Sequence, residues 1–212
     1  MMEKFQTLTA ISAPLMRSNV DTDIIIPMDR MVTAERDDMH RYAFEPWRFR
    51  DDGSENPEFV LNREPFRRAE ILITGPNFGC GSSREGAVWA LQGLGIRCLI
   101  GSSFGNIFYN NCFQNGILPI VLPADVIDRI SDQAEASDNA AVIKVDLENC
   151  QVVPSRGDPI PFNIEPNRRT QLLDGLDDIG MTLERVDDID AFRQADQKVR
   201  PWIYGGNCWS MS

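Results

Sequence analysis

The sequence is poor in residues that bind metals or form disulfide frameworks. It has one histidine, His40, and five cysteines at positions 80, 98, 112, 150 and 208, none in a C-x-x-C pair. One histidine is too few for a histidine-based metal site. An odd number of scattered cysteines argues against a disulfide framework and against a zinc or iron–sulfur site within the chain. We therefore expect no metal site here, and free, mostly buried thiols in a cytoplasmic protein.

Long apolar runs and an excess of positive charge are absent too. No run approaches the ~20 apolar residues of a membrane span, and the first ten residues do not resemble a signal peptide. The net charge of −11 argues against nucleic acid as a partner. The 212 residues predict one domain over residues 1–200, followed by a C-terminal tail over 201–212.

The most informative stretch connects an apolar strand to a helix. Residues 71–74 (ILIT) suit a buried strand and residues 87–91 (AVWAL) suit a helix, so residues 75–81 form the turn between them. Gly79 and Gly81 allow positive φ and a close approach of the backbone to a ligand.

The helix start after this turn has the features of an anion site. Ser82 and Glu85 have the S-x-x-E spacing of a capping box, and a helix N-terminus favours anions. Arg84 adds a guanidinium that can hold a carboxylate through two hydrogen bonds. A purely structural turn with a helix cap is about equally compatible with this spacing. The stretch matches neither the dinucleotide fingerprint nor the P-loop, and it is not a nucleophile elbow.

Four ordered blocks resemble one family. Residues 19–27 (NVDTDIIIP) and 78–85 (FGCGSSRE) closely resemble the small subunit of 3-isopropylmalate dehydratase, in the aconitase superfamily. Residues 103–119 (SFGNIFYNNCFQNGILP) and 173–183 (LDGLDDIGMTL) support the match. The likeness covers nearly the whole chain.

The resemblance implies an α/β fold. The expected architecture is the three-layer β/β/α swivelling domain of the aconitase C-terminal domain, with a helical C-terminal extension. The patterns agree with this fold: residues 70–101 predict a strand–helix–strand unit with a parallel crossover, and residues 141–153 predict a hairpin. Residues 117–122 predict a strand, at a sheet edge or with a bulge, because Pro119 lacks an N–H.

The resemblance also implies a reaction. The family isomerises 2-isopropylmalate to 3-isopropylmalate in leucine biosynthesis, by dehydration and rehydration of a small 2- or 3-hydroxy dicarboxylic acid. Ser82 would be the base that takes a C–H proton, and Arg84 and Asp23 would complete the catalytic set. Substrate-binding positions are expected at Ser83, Arg84, Asp21, Thr22, Met31, Val32 and Gly81.

Without the resemblance, the pattern at Asp21 and Asp23 has two interpretations. They flank Thr22 with the alternation of an extended segment, which would place both carboxylates on one side. Alternatively, they cap a turn through hydrogen bonds to the backbone.

Residues 28–33 (MDRMVT) correspond to a loop near the variable end of the substrate in related small subunits. Met31 and Val32 suit an alkyl group better than a third carboxylate. Arg30 and Arg36 complicate this interpretation, because the superfamily has a substrate-binding arginine that aligns clearly with neither.

The resemblance implies a partner. The family's [4Fe-4S] cluster is held by three cysteines that this chain lacks, so a cluster-bearing large subunit is expected, in a heterodimer or heterotetramer. Gly86 departs from the histidine usual in the family, which leaves open a related hydro-lyase for citramalate/citraconate or dimethylmalate. A non-catalytic carboxylate-binding module is a third alternative.

Overall fold

The computed structural model describes residues 2–81, 85–136 and 142–204. These residues form a seven-stranded mixed sheet with the strand order β4-β3-β2-β1-β5-β6-β7. In chain order the strands are β1 (Thr7–Leu15), β2 (Ile71–Thr74), β3 (Cys98–Gly101), β4 (Leu118–Val121), β5 (Val142–Asp146), β6 (Gln151–Val153) and β7 (Ile160–Pro161).

Strand β1 joins a parallel half to an antiparallel half. It pairs in parallel with β2, at Ser12 opposite Ile71, and antiparallel with β5, at Thr7 opposite Asp146. The pairs β2–β3 and β3–β4 are parallel, whereas β5–β6 and β6–β7 are antiparallel. The predicted crossover and hairpin are confirmed. The edge position predicted from Pro119 is confirmed as well, because β4 is the outer parallel strand.

The helices are α1 (Thr22–Ile25), α2 (Met28–Thr33), α3 (Glu45–Arg48), α4 (Glu85–Gly93), α5 (Asn106–Gln114), α6 (Ala124–Glu135), α7 (Pro166–Asp174), α8 (Asp178–Leu183), α9 (Val186–Val199) and α10 (Pro201–Tyr204). Short 3-10 turns lie at Arg36–Tyr42, Val60–Asn62 and Phe66–Arg68. None of these helices is both long enough and apolar enough to cross a bilayer.

Each face of the sheet has its own core. Successive side chains of a strand point to opposite faces, so Leu72 packs with α1 and α4, whereas Ile71 and Ile73 pack with α6 and α7. All three side chains are fully buried. The result is the layered α/β architecture that the resemblance implied.

The extended conformation considered for residues 21–23 is wrong. Only Asp21 is extended (φ −81°, ψ 169°), and the helix α1 begins at Thr22. The reason is local, because Asp21 Oδ1 accepts a hydrogen bond from the Ile24 N–H at 2.8 Å and so caps the helix. Ile25 is fully buried and anchors this short helix on the core.

Candidate functional site

Loops that follow β1 and β2 lie side by side at the carboxyl edge of the parallel strands. The Gly79 N–H donates to the Val20 carbonyl at 2.7 Å, and the Thr22 N–H donates to the Cys80 carbonyl at 3.0 Å. Asp21 and Cys80 thereby form a short parallel bridge. Open α/β sheets bind their ligands at this edge.

The loop after β3 holds the other side of the same turn. The Phe78 N–H donates to the Ser103 carbonyl at 3.2 Å, and the Gly105 N–H donates to the Phe78 carbonyl at 2.9 Å. The Asn77 N–H donates to Ser103 Oγ at 2.8 Å. The turn at residues 75–81 is therefore fixed from both sides, immediately before the Ser-Ser-Arg segment.

The two glycines adopt the backbone predicted for them. Gly79 has a φ of +70° and Gly81 a φ of +93°. A Cβ at Gly79 would overlap the ring of Phe108, so the loop approaches α5 more closely than any side chain allows. A Cβ at Gly81 would lie 3.5 Å from the Asp21 Cβ, which places these two predicted site residues next to each other.

The remaining predicted polar residues divide into two groups. Thr22 is buried, and Asp23 is exposed in the first turn of α1. Ser82, Ser83 and Arg84, which carry the main catalytic predictions, lie outside the described residues. They connect Gly81 to Glu85, the first residue of α4.

Residues 28–33 form helix α2 and not the loop that was expected, and Met31 contacts the start of α4 at Gly86. A Cβ at Gly86 would lie 2.8 Å from both Cγ and Sδ of Met31 and 3.5 Å from Sδ of Met39. The volume left by the absence of a side chain at position 86 is therefore filled by Met31. Val32, the other predicted selector, is 76% exposed.

Arg30 is held by an acidic neighbour. Its Nε and Nη2 donate to the two carboxylate oxygens of Glu45, each at 2.9 Å, and its guanidinium lies 4.9 Å from the Tyr42 ring centroid. The hydrogen bonds and the charge of Glu45 raise the pKa of Arg30 above its ordinary value. Arg36, the other candidate, stacks on Trp89 at 4.7 Å.

Glu85 has a partner that the sequence did not indicate. Its Oε1 accepts a hydrogen bond from Asn115 Nδ2 at 2.9 Å. The S-x-x-E spacing indicates only a capping role for Glu85, and residues 103–119 carry no local pattern that points to this residue. The contact joins positions thirty residues apart, so helix spacing does not reveal it.

The cysteines in the described ranges do not form a cluster site. Cys98 and Cys112 are buried and burial raises the pKa of both thiols, while Cys80 and Cys150 are half-buried. All four are free thiols, as expected, and Cys208 lies outside these ranges. No group of three or more metal-ligating side chains occurs among the described residues, so they do not fit a [4Fe-4S] cluster.

Comparison with known proteins first defines the class. Residues 2–125 match the family model described as the aconitase C-terminal domain. Residues 178–206 match a second model, described as the C-terminal domain of the 3-isopropylmalate dehydratase small subunit. The fold is thus that of the aconitase C-terminal domain.

The chain belongs to the family of 3-isopropylmalate dehydratase small subunits. It is 54% identical over 202 residues to the small subunit from Granulibacter bethesdensis, with 95% of this chain and 96% of that protein covered. It is 50% identical over 202 residues to the one from Roseobacter denitrificans, with 95% and 100% covered.

A solved structure of a 3-isopropylmalate dehydratase from Methanocaldococcus jannaschii has the same fold. It aligns with a TM-score of 0.63 at 24% identity, covering 88% of this chain and 99% of that chain.

Proposed function

We propose that this chain is the small subunit of a 3-isopropylmalate dehydratase, a hydro-lyase that isomerises 2-isopropylmalate to 3-isopropylmalate in leucine biosynthesis. One observation carries the proposal. The turn at residues 75–81 is fixed by hydrogen bonds on both sides, at the edge where such sheets bind ligands. The Ser-Ser-Arg segment starts immediately after it.

In this proposal Ser82 is the base. It accepts the proton of the carbon next to the hydroxyl-bearing carbon, while the hydroxyl leaves and a double bond forms. Rehydration returns a proton and a hydroxyl with their positions exchanged. A serine oxygen acts as a base only where positive charge and N–H donors stabilise its anion. Arg84 and the N-terminus of α4 would supply them.

The substrate carboxylates would be bound around the same turn. Arg84 and Ser83 are the proposed main contacts, and Gly81 offers backbone close to Asp21. Asp21 fixes the start of α1, so that Asp23 and Thr22 have defined positions in its first turn. Asp23 is the carboxylate proposed to act in catalysis.

Helix α2 would select the alkyl branch of the substrate. Met31 packs on the first turn of α4 and Val32 is exposed next to it in the chain. Burying an isopropyl group there contributes roughly 1.5–3 kcal/mol. A third carboxylate would lose water without gaining a partner, because Glu45 already holds Arg30.

The hydroxyl-polarising group would come from the partner. Relatives named small subunits imply a large subunit. We propose that it carries the [4Fe-4S] cluster, which would polarise the departing hydroxyl, and that it pairs with this chain in a cytoplasmic heterodimer or heterotetramer.

The test is reconstitution with the large subunit encoded in the same genome, using isopropylmalate, citramalate and homocitrate as substrates. We expect turnover only in the mixture, with the highest kcat/KM for isopropylmalate. Val32→Arg should move the preference towards homocitrate. Val142→Arg, at an exposed valine of β5, should not.

Each alternative predicts a different result. A preference for citramalate would assign the chain to the related hydro-lyase, and a preference for homocitrate would contradict the role of α2. Inactivity with every candidate large subunit would support a non-catalytic carboxylate-binding module.

A further inference from the structure

Asn115 is a buried amide at the end of α5 with all of its side-chain hydrogen bonds made. It is 5% exposed. Its Nδ2 donates to Glu85 Oε1 and to the Asn111 carbonyl, each at 2.9 Å. Its Oδ1 accepts from Trp89 Nε1 at 2.9 Å and from Arg36 Nη2 at 3.3 Å. A buried amide with two donors and two acceptor bonds satisfied has one well-defined orientation.

These bonds join α4, the end of α5 and the 3-10 turn that follows α2. Glu85 and Trp89 lie one turn apart on α4, and the Gln92 side chain one turn further on donates to the Asn115 carbonyl at 2.9 Å. Arg36 begins the 3-10 turn that follows α2, and its guanidinium also stacks on Trp89. Asn115 therefore connects the first turn of α4 with the end of α5 and with the segment after α2.

The Asn115–Glu85 hydrogen bond is close to the proposed site along the chain. Glu85 is the residue directly after Arg84 and lies in the first turn of α4, so a bond that holds its carboxylate also holds this turn. On the same helix, Gly86 contacts Met31 of α2. A shift of the first turn would thus displace Met31, the proposed alkyl selector, and Glu85, to which the Ser-Ser-Arg segment is joined in the chain. A misplacement of about 1 Å at such a site can cost on the order of 10²-fold in rate.

We infer that Asn115 is a positioning residue for this reaction, which orients the first turn of α4 through its hydrogen bond to Glu85, the residue that directly follows the Ser-Ser-Arg segment in the chain. The inference rests on the proposed function, because it concerns how the same site is held. Asn115 need not touch the substrate in this role.

Asn115→Asp removes both bonds that Nδ2 donates, to Glu85 and to the Asn111 carbonyl, and adding Glu85→Gln restores only the bond at Glu85. The aspartate has the same shape and still accepts from Trp89 and Arg36, but it turns the donor facing Glu85 into a second carboxylate. Two carboxylates in contact repel, and one of them gains a proton more readily than usual. Among the described residues, the other charged side chains that line the same cavity, of about 520 Å³, are Arg36, Glu3, Asp177 and Asp178.

The experiment measures kcat/KM of the reconstituted complex between pH 6 and pH 9. Asn115→Asp should lower kcat/KM about tenfold or more at high pH. The loss should shrink towards pH 6, as one proton bridges the two carboxyl groups. Asn115→Asp with Glu85→Gln should restore activity to within about threefold, because the glutamine amide donates to the new aspartate.

Asn111→Asp is the matched control. It makes the same change one turn earlier on α5, at a half-buried side chain, and should leave both the rate and its pH profile unchanged. Thermal unfolding of each variant shows whether the chain is folded. Unchanged kcat/KM in Asn115→Asp, or a loss that Glu85→Gln does not repair, would overturn the inference. Inactivity of the unmutated complex would instead contradict the proposed function.

Discussion

Arg30 shows how a neighbouring side chain decides what a residue can bind. Its guanidinium could in principle receive a third carboxylate of a substrate. Its Nε and Nη2 already donate hydrogen bonds to Glu45, at 2.9 Å each, and the Tyr42 ring covers one face of the guanidinium. A bidentate pair of this kind is more geometrically specific than a single contact. Glu45, which lies outside α2, thus keeps the Arg30 guanidinium occupied, so that Arg30 does not offer α2 a charged group for the substrate.

Glu45→Gln should therefore broaden the substrate range. The glutamine can no longer hold the guanidinium at both nitrogens, so Arg30 can reorient. We expect the ratio of kcat/KM for homocitrate to that for isopropylmalate to rise several-fold. Glu55→Gln is the control, because it breaks a similar pair with Arg67 elsewhere. An unchanged ratio in Glu45→Gln would show that Arg30 does not face the substrate.

Gly86 and Met31 are a second pair of residues whose contact determines what one of them can tolerate. Gly86→Ala brings a Cβ to 2.8 Å from the Met31 side chain, which has to move. The alanine also favours the helix by up to ~1 kcal/mol. We expect the free energy of unfolding to stay within about 1 kcal/mol, while kcat/KM falls several-fold.

Adding Met31→Ala to Gly86→Ala should recover part of this loss, because it removes the overlap. A double-mutant cycle on kcat/KM measures the coupling of the two positions. Additive effects would show that Met31 does not transmit the change at Gly86.

The β5–β6 hairpin is an element stabilised by one carboxylate. Asp146 accepts hydrogen bonds from the Asn149 backbone N–H at 2.9 Å and from Asn149 Nδ2 at 3.1 Å. The Asn149 side chain is the main cause that lowers the pKa of Asp146 below its ordinary value, followed by the Asn149 backbone and Lys144. The bonds favour the ionised form, so Asp146 stabilises the folded chain most when it is charged.

Asp146→Asn should therefore destabilise the chain in a pH-dependent way. A depressed pKa contributes stability above the unfolded value, ~3.9, and this contribution is lost as the pH falls through the folded value. We expect the variant to lose about 1–2 kcal/mol at pH 7 and less at about pH 3, which lies below the unfolded value. Urea unfolding at both pH values measures this. A difference of equal size at both would refute the assignment.

Much of the element order could be predicted because it follows from local patterns. The buried run at residues 71–74, the positive φ of Gly79 and the edge position implied by Pro119 each depend on a few adjacent residues. The helix α1 was missed because a single side-chain bond from Asp21 overrides the extended pattern. The Glu85–Asn115 bond depends on how α4 and α5 pack, which no local pattern encodes.

For the candidate site too, the residue types could be predicted from the sequence and the contacts between them could not. The residue types around Ser82 are visible in the sequence, but the contacts of residues 77–80 with the loops after β1 and β3 come from strand order. The role of Glu45 in holding Arg30 depends on the side-chain positions.

At the scale of the whole molecule, the C-terminal helices differ from the body. None of the residues of α8, α9 and α10 is buried, although Ile179, Phe192 and Trp202 are large and apolar. Isolated helices shorter than ~12–15 residues are marginal in water. Within residues 178–204, the helices thus lack the packing that stabilises the sheet.

Limited trypsin digestion of the chain alone should therefore cut first in this region. The exposed sites are Arg185, Arg193 and Lys198, since trypsin does not cleave between Arg200 and Pro201. Cleavage at these sites should precede cleavage after Arg97, whose side chain is 20% exposed and paired with Glu3, because the sheet opens only on wider unfolding. Mass spectrometry of early fragments tests this order. A first cut within residues 85–136 would contradict it.

The central claim is that this chain contributes the base of a dehydratase active site. The most direct measurement is kcat for isopropylmalate in the reconstituted complex with Ser82→Ala. Ser155→Ala, an exposed serine on the antiparallel half of the chain, serves as the control. The account predicts a loss of at least about 10³-fold for Ser82→Ala, with normal assembly, and full activity for Ser155→Ala. Near-normal turnover by Ser82→Ala would contradict it.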